Sequence, residues 1–462
     1  MGSLSASLNI AVGSLLAEQG AIETTSNNIA NVTTPGYSRQ RADLTETSPI
    51  EVGNLTLGTG VQLQDVTSLR DSILDLRVNQ ETQQQGKLNA FIGGGQQIQS
   101  LFNETSGTGL QAPLTALFNS FQQLSVNPSD LTTRQSVITS AQNLAQALNQ
   151  TSNNLTTQQQ NTDLAVKQSV EQINSLTSQI AQVNLQVAGA AGTGANAGPF
   201  IDQRQQLINQ LSSYVDVSTV DAGGGSVTLT TSAGTPLVVG GQSFALSTQP
   251  NATTGFQDIY SGSTNITSQI TEGQLAGQLQ LRDQEIPSIR NSLDTVAYNL
   301  SNAVNTQQQA GYDLSGTAGG PLFTPLTQQA GAAAASKVAI TDPNKIAASG
   351  GPAPGNSGDN TNANALLALQ NQQIVSGQTP IGYYGGLVFQ VGNDVSSAQT
   401  QQQSGSLVLQ QIQNLQGEVS GVDINEEAAN LVRYQNAYQA SAQVTSIINT
   451  LMLATINMAS GV

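Results

Sequence analysis

Carboxylates are the main side chains in this sequence that could do acid–base chemistry, because the chain contains no His and no Cys. Their absence excludes zinc sites, iron–sulfur clusters and catalytic triads or dyads that depend on His. The two adjacent carboxylates Glu426-Glu427 would point about 100° apart on a helix, so they do not form a facing acid–base pair. Asp283 and Glu285 lie in a stretch that also contains Arg282 and Arg290. A helix N-terminus and ordinary surface ion pairs explain these residues better than catalysis does.

Other segments with possible chemistry also lack a complete pattern. Residues 358–362 offer oxygen ligands but not the order of a calcium-binding loop. The glycine runs at 93–95 and 223–225 are not followed by the Lys-Ser/Thr of a phosphate-binding loop. A β-rich region contains three aspartates without a recognisable pairing: Asp216, Asp221 and Asp258. We therefore expect that the chain is not an enzyme and that it binds no metal and no cofactor. The alternative is that the β-rich region is a carboxylate-based hydrolase or a surface adhesin.

The composition favours an elongated protein with a polar, largely uncharged surface. The 462 residues include 13 Lys+Arg and 29 Asp+Glu, so the formal net charge is −16. Such a charge disfavours binding to nucleic acid or to an anionic membrane, since both require positive charge. Hydrophobic residues make up 37% and aromatic residues 4% of the chain, which is low for a compact enzyme. No apolar run reaches the ~18 residues that cross a bilayer, so we expect no membrane insertion.

Both ends of the chain predict long helices with a narrow apolar seam. Residues 4–31 repeat an apolar residue every seven positions until the Thr33-Thr34-Pro35-Gly36 turn. A second helix begins near Asp423 and continues with apolar residues at a 3-4 spacing. Because neither helix can bury its seam alone, we expect them to pack on each other or on neighbouring copies. The predicted assembly seam consists of Leu8, Leu15, Ile22, Ile29, Val444, Ile447, Leu451 and Met458.

The pattern between the ends predicts further helices around a small β unit. The predicted helices are Val66 to Ser106 with a break at 93–95, Leu110 to Leu124, Ser129 to Ala188, Ile201 to Tyr214, 285–310, 362–375 and 384–419. A Gly/Ala-rich linker is predicted at 189–198 and short strands within 215–270. The fold class is thus mainly α with a small β insert, in an elongated multi-domain protein whose N- and C-terminal helices pair as a coiled-coil-like bundle. The predicted parts are 1–45 and 420–462 (two halves of a terminal domain), 46–200 and 271–419 (a helical core domain, its return part containing a Gly/Ala/Pro-rich loop at 311–362) and 201–270 (a β-rich outer insert).

Two motifs at opposite ends of the chain resemble a known family. Residues 27–40 (Asn-Asn-Ile-Ala-Asn-Val-Thr-Thr-Pro-Gly-Tyr-Ser-Arg-Gln) closely resemble the signature of the rod, hook and hook-associated family of bacterial flagellar axial proteins. Residues 420–442 are similar to the matching closing signature, and their Glu-Glu-Ala-Ala-Asn-Leu-Val-Arg-Tyr-Gln run points to the hook-associated members. Interior stretches at 202–207, 273–282, 305–313 and 358–369 agree. The family motif contains Asn27, Asn28, Asn31, Pro35, Gly36, Tyr37, Glu426, Glu427, Arg433, Tyr434 and Tyr438.

The resemblance implies a structural adaptor at the junction between the flagellar hook and filament. It implies an extracellular protein that is exported through the flagellar type III apparatus without a cleaved signal peptide. The implied partners are copies of itself in a ring or helical assembly, the flagellar hook protein, hook-associated protein 3 and an export chaperone. Longer relatives insert an outer domain after the segment that matches 321–323, and we expect that domain to be absent here. Another axial component, such as the hook or distal-rod protein, remains the alternative.

Overall fold

The computed structural model describes residues 2–52, 55–104, 109–193, 195–352 and 358–460. Its main helices are α1 (Gly2–Ala30), α2 (Ser72–Leu101), α3 (Gln111–Val126), α4 (Leu131–Thr193), α5 (Gly198–Tyr214), α6 (Gly273–Gln280), α7 (Ile286–Ala310), α8 (Ala332–Ala335), α9 (Thr361–Ala368), α10 (Pro380–Ser420) and α11 (Ile424–Ser460). The molecule is elongated and 66% helical, which confirms the predicted mainly α class. Within the described ranges, no helix combines the length and apolarity that a membrane span requires.

The two terminal helices, α1 and α11, run antiparallel and contact each other along their length. Ser14 Oγ lies 3.0 Å from Ser441 Oγ near the middle of the pair, and Asn28 meets Glu427 at one end. The side chains that α1 buries most completely along its first two thirds are small, namely Ala11, Ala17 and Ala21. Small residues allow two helix backbones to approach closely. The predicted pairing of the terminal helices is therefore confirmed.

A β-hairpin that the sequence pattern did not predict follows α1. Its strands are β1 (Gln40–Glu46), β2 (Ile50–Val52), β3 (Leu55–Leu57) and β4 (Val61–Ser68), with β1 paired to β4 and β2 to β3 in antiparallel fashion. Both β1 and β4 contact α1. The prediction of a helix from Val66 was wrong, because β4 extends to Ser68 and α2 begins only after Asp71. The Asp71 carboxylate accepts hydrogen bonds from the first backbone N–H groups of α2.

The helical core is formed by α2, α3, α4, α7 and α10 around one large apolar cluster. Its centre includes the fully buried Leu114, Leu117, Phe118 and Phe121 of α3. The predicted break at 93–95 was wrong, since α2 passes through these glycines as one helix. A Cβ on Gly94 would lie 2.4 Å from Leu281 Cδ1. Close helix packing, and not a turn, explains this glycine.

Several other helix boundaries in the structure differ from the predicted ones. α4 continues to Thr193, so the predicted linker at 189–198 shrinks to 195–197, with Gly194 outside the described residues. The helix predicted over 362–375 is wrong beyond Asn371, because α9 ends at Ala368 and only a 3₁₀ turn follows at Leu369–Asn371. The helices predicted over 110–124, 201–214, 285–310 and 384–419 are confirmed to within a few residues.

The β unit packs against the second half of α4 and against α5. One sheet contains β5 (Ser218–Gly223), β6 (Ser226–Thr230), β7 (Pro236–Val239) and β8 (Gln242–Ser243), and the other contains β9 (Leu246–Pro250), β10 (Gln257–Ser261) and β11 (Thr264–Asn265). The chain returns through α6 and a π-helical turn at Leu281–Glu285. Buried Arg282 in this turn bonds Asp163 Oδ1 at 2.6 Å and lies over the Phe256 ring. It thereby fixes the β unit to the helices.

Candidate functional site

The candidate site is the end of the terminal helix pair where both helices join the rest of the chain. α1 ends at Ala30, and the Pro35-Gly36 turn brings the chain back toward it. Gly36 has a φ of +77°, a conformation that favours glycine. The turn places a connected set of polar residues between α1, β1 and α11. We call this set the clamp, and it consists of Asn28, Tyr37, Arg39, Gln40, Glu426 and Glu427.

Asn28 lies at the centre of the clamp and is buried. Its Nδ2 donates to Gln40 O at 2.8 Å and to Glu427 Oε2 at 3.0 Å. Its Oδ1 accepts from Gln40 N at 2.9 Å and from Tyr37 Oη at 2.8 Å. The amide thus uses both of its donors and both of its acceptor positions. A carboxylate in the same place would lack the donors and would lie beside Glu427.

Arg39 connects the two adjacent carboxylates of α11. Its Nε donates to Glu427 Oε1 at 2.7 Å, while Nη2 and Nη1 donate to the two oxygens of Glu426 at 2.6 and 3.1 Å. The hydrogen bond to Glu426 raises the pKa of Arg39 above its ordinary value. In addition, Arg39 N donates to Ser420 O at 2.8 Å across the joint between α10 and α11. The adjacent carboxylates of Glu426 and Glu427 do not form an acid–base pair, but both bind the guanidinium of Arg39.

The clamp is also bonded to the helical core through α5. Ser38 N donates to Asp202 Oδ2 at 3.0 Å, and Arg70 Nη1 donates to Asp202 Oδ1 at 2.9 Å. Burial raises the pKa of Asp202, and the hydrogen bonds from Ser38 and the charge of Arg70 oppose that rise. Burial, together with the charges of Asp202 and Glu427, raises the pKa of Tyr37 to about 12. The phenol therefore stays a hydrogen-bond donor throughout the physiological pH range.

Not all clamp residues were among the predicted site residues. Arg39 and Gln40 belong to the quoted N-terminal motif but were not named as site residues. Asp202, which accepts a hydrogen bond from Ser38 beside the clamp, lies in one of the interior stretches and was not named as a site residue either. Their partners lie far away in the sequence, 388 residues away for the Arg39–Glu427 contact and 164 for Ser38–Asp202. The signal that could have identified Arg39 is its charge, because it is the first basic residue of the chain.

The predicted assembly seam falls on two different surfaces. On α1, Leu8, Leu15, Ile22 and Ile29 are partly buried. On α11, the seam residues are exposed, with Val444 at 47%, Ile447 at 59%, Leu451 at 49% and Met458 at 76%. The side of α11 that faces α1 instead carries Ser441 and the buried Ile448. The α11 seam is thus not used within one chain, and its role in assembly stays a prediction.

The remaining motif residues lie close to the clamp or along α11. Asn31 Nδ2 donates to Asn27 Oδ1 at 2.7 Å at the exposed end of α1. The Arg433 guanidinium lies 4.9 Å from the centre of the Tyr434 ring. Gln206 Nε2 of α5 donates to Pro35 O at 2.7 Å, which holds the turn. Tyr438 is partly exposed on α11.

The three aspartates of the β unit occupy different surroundings. Asp216 is buried, which raises its pKa, and its Oδ2 accepts from Ser232 N at 3.0 Å. Asp221 accepts from Gly223 N within its own turn and lines a groove beside Arg70 and Arg204. Asp258 accepts from Asn251 and Asn265 and lines a separate polar cleft. Each of the three carboxylates thus accepts hydrogen bonds from nearby residues. Asp221 and Asp258 line different cavities, so they do not form a pair.

Comparisons with known sequence families match three segments of the chain. The family described as "Flagellar hook-associated protein FlgK helical domain" matches residues 95–323. "Flagella basal body rod protein" matches residues 8–37, and "Flagellar basal body rod FlgEFG protein C-terminal" matches 415–458. The last two matches contain the residues of the clamp on α1 and α11.

Full-length relatives and a solved structure agree with these matches. Flagellar hook-associated protein 1 of Escherichia coli K12 is 28% identical over 98% of this chain and 100% of its own length. The protein of the same name from Bacillus subtilis 168 is 28% identical over 97% of both chains. The structure of the hook junction protein FlgK from Burkholderia pseudomallei covers 74% of this chain and all of its own, with a TM-score of 0.66 at 19% identity, which supports the fold. The chain belongs to the family of flagellar hook-associated protein 1, within the rod, hook and hook-associated axial proteins.

Proposed function

We propose that this chain is a structural adaptor of the bacterial flagellum that forms the junction between hook and filament. One observation carries the proposal: the terminal helices are fixed to each other and to the core by the clamp, while α11 leaves a row of large apolar side chains exposed. A soluble protein rarely exposes such a row unless another surface covers it. Its family relatives are named as hook-associated and hook junction proteins.

Self-assembly of the terminal helix pair is the mechanism that follows. Burial of apolar surface contributes roughly 25 cal/mol per Å², so covering the exposed α11 residues between copies would stabilise an assembled ring or helix. A heterologous contact of this kind closes into a ring or continues as a helix. The clamp would keep α1 and α11 in register, so that each copy presents the same surface.

The polar character of the terminal pair suits a wall around an export channel. Glu18 and Glu23 are the charged side chains within the first 38 residues. The other polar residues there are Ser, Asn, Gln, Thr and Tyr, which would not retain a passing unfolded chain by ion pairing. This protein would itself leave the cell by the flagellar type III apparatus.

The proposed partners are further copies of the chain, the flagellar hook protein, hook-associated protein 3 and an export chaperone. Their support is the family membership and the motif residues. The net charge of −16 disfavours nucleic acid as a partner. We propose a structural and not an enzymatic role, because the carboxylates of the clamp are engaged by Arg39 and Asn28.

A deletion strain tests the adaptor role directly. We expect hooks without filaments and flagellin shed into the medium, with both defects reversed by the wild-type gene. Electron microscopy of the cells and detection of flagellin in the medium provide the two readouts. Filaments of normal length and number on the deletion strain would contradict the proposal.

A further inference from the structure

The exposed faces of α1 and α11 match each other in charge and spacing. On α1, Val12, Leu16, Gln19 and Glu23 are exposed and recur at the spacing of one helix face. On α11, Arg433, Ala440 and Val444 are exposed and form one stripe with the partly buried Ala437. The α1 stripe runs from the apolar Val12 to the anionic Glu23. The α11 stripe runs from the cationic Arg433 to the apolar Val444. Neither stripe is the surface through which the two helices meet within one chain.

The spacing of these residues selects one antiparallel register. Eleven residues separate Val12 from Glu23, and eleven separate Arg433 from Val444. At 1.5 Å per residue both intervals span about 16 Å. When Glu23 is placed opposite Arg433, Val12 falls opposite Val444 and Leu16 opposite Ala440. This register differs by one residue from the one within the chain, where Ser14 meets Ser441 and Asn28 meets Glu427.

Among the described residues, the charged side chains at the ends of the two stripes, Glu23 and Arg433, form no ion pair within the chain. The Nη2 of Arg433 donates to Tyr434 Oη on its own helix, and its guanidinium lies over the Tyr434 ring. Glu23 accepts a hydrogen bond from Gln19 and has no cationic partner in the described part of the chain. Glu18 is the carboxylate of α1 that is electrostatically coupled to Arg433. It is therefore the competing intramolecular partner.

We propose that the α1 face of one copy docks on the α11 face of a second copy, with Glu23 opposite Arg433 and Val12 opposite Val444. The proposal rests on the proposed self-assembly and adds its partner surface and register. The contact is heterologous, since different surfaces of the two copies meet, and it leaves the outer faces of both copies free to repeat it. It also reassigns the α1 side of the predicted seam from Leu8, Leu15, Ile22 and Ile29 to Val12 and Leu16.

Engineered cysteines test the register, because the natural chain contains no Cys. The full-length Val12→Cys/Val444→Cys variant is expressed in the deletion strain, and isolated flagella are oxidised. We expect a ladder of covalent multimers, whereas the two single-cysteine variants mixed in one cell should give dimers only. If filaments are restored but cross-linking is absent, or if one single variant cross-links with itself, the register is wrong while the adaptor function stands. If the wild-type gene restores no filaments, the adaptor function fails first.

Charge reversal tests the ion pair independently of the cysteines. Arg433→Glu and Glu23→Arg should each reduce the number of filaments per cell by roughly tenfold, since each places like charges opposite each other. The double variant should restore filaments. Lys167→Glu and Glu171→Arg are matched controls on the exposed surface of α4 and should have no effect. If the pair of Arg433→Glu with Glu18→Arg restores filaments and the pair with Glu23→Arg does not, the contact is intramolecular and the proposal is overturned.

Discussion

Asn28 on α1 donates a hydrogen bond to Glu427 on α11, with 3.0 Å between Nδ2 and Oε2, although 399 residues separate the two positions. The contact joins the first and last helices of the chain in a buried place. Arg39 binds the other oxygen of the same carboxylate. The two ends of the chain are therefore held together by a connected, buried polar cluster beside an otherwise small-residue interface.

Replacing Asn28 by Asp should separate the terminal helices. The new carboxylate would lose both donors and would lie next to Glu427, at a cost of about 3 kcal/mol. We expect faster hydrogen exchange in both α1 and α11 of the purified variant. Asn27→Asp is the matched control, because Asn27 is exposed one position earlier, and it should leave exchange unchanged. Equal exchange in the two variants would show that the clamp does not hold the helices.

Replacing Arg39 by Lys should weaken the clamp although the charge is kept. Lys has a single ammonium group and cannot bind Glu426 and Glu427 through separate nitrogens as the guanidinium does. We expect a loss of about 1 to 2 kcal/mol in the stability of the terminal pair, measured as earlier proteolysis of α11 in a temperature series. Arg41→Lys is the control, since Arg41 is exposed and forms an ion pair with Asp43 on its own strand. A similar effect of both variants would mean that the bidentate geometry is unimportant.

The loop at 311–362 should lose stability in acid through Asp313. Burial raises the pKa of this carboxyl, but hydrogen bonds from Ser315, Lys345 and the Thr317 backbone outweigh burial and lower the pKa to about 2. The carboxyl of the unfolded chain has a pKa near 4. The ionised form therefore stabilises the folded state above pH ~4, and this contribution is lost as the pH falls toward 2.

The substitution Asp313→Asn tests this pH dependence. It should lower the free energy of unfolding by about 1 kcal/mol at pH 7, after allowance for screening by solvent. The difference from the wild type should shrink below pH ~4 and vanish near pH 2. Denaturant titrations at several pH values measure it, with Glu46→Gln at an exposed position of β1 as the control. A difference that does not change with pH would rule out the ionised carboxylate as the cause.

Features that depend on local periodicity could be predicted from the sequence, and features that depend on distant partners could not. The seven-residue repeat of α1 and the 3-4 spacing of α11 predicted both helices. Their pairing was also predicted, but within one chain the two helices meet through small residues and the apolar seam of α11 lies exposed. The β1–β4 hairpin was not predicted, although Val61-Gln62-Leu63 of β4 alternates apolar and polar residues. Its partner β1 has no such alternation and lies against α1, so the hairpin depends on a tertiary contact that the local pattern does not show. Asp202 was missed as a site residue for the same reason, because its partners Ser38 and Arg70 come from other elements.

A glycine in α2 and a glycine in α6 show that close packing can outweigh helix propensity. Gly93 has no neighbour within 4 Å of an added Cβ, whereas a Cβ on Gly277 of α6 would lie 2.3 Å from the Lys87 carbonyl oxygen of α2. Gly93→Ala should raise the melting temperature, because Ala gains up to ~1 kcal/mol over Gly inside a helix. Gly277→Ala should lower it by forcing α2 and α6 apart, at a cost of about 1 to 3 kcal/mol. Both residues are glycines within helices, so propensity alone predicts stabilisation in both cases. Thermal unfolding of the two variants thus separates the effect of backbone packing from that of helix propensity, and stabilisation by Gly277→Ala would contradict the close α2–α6 crossing.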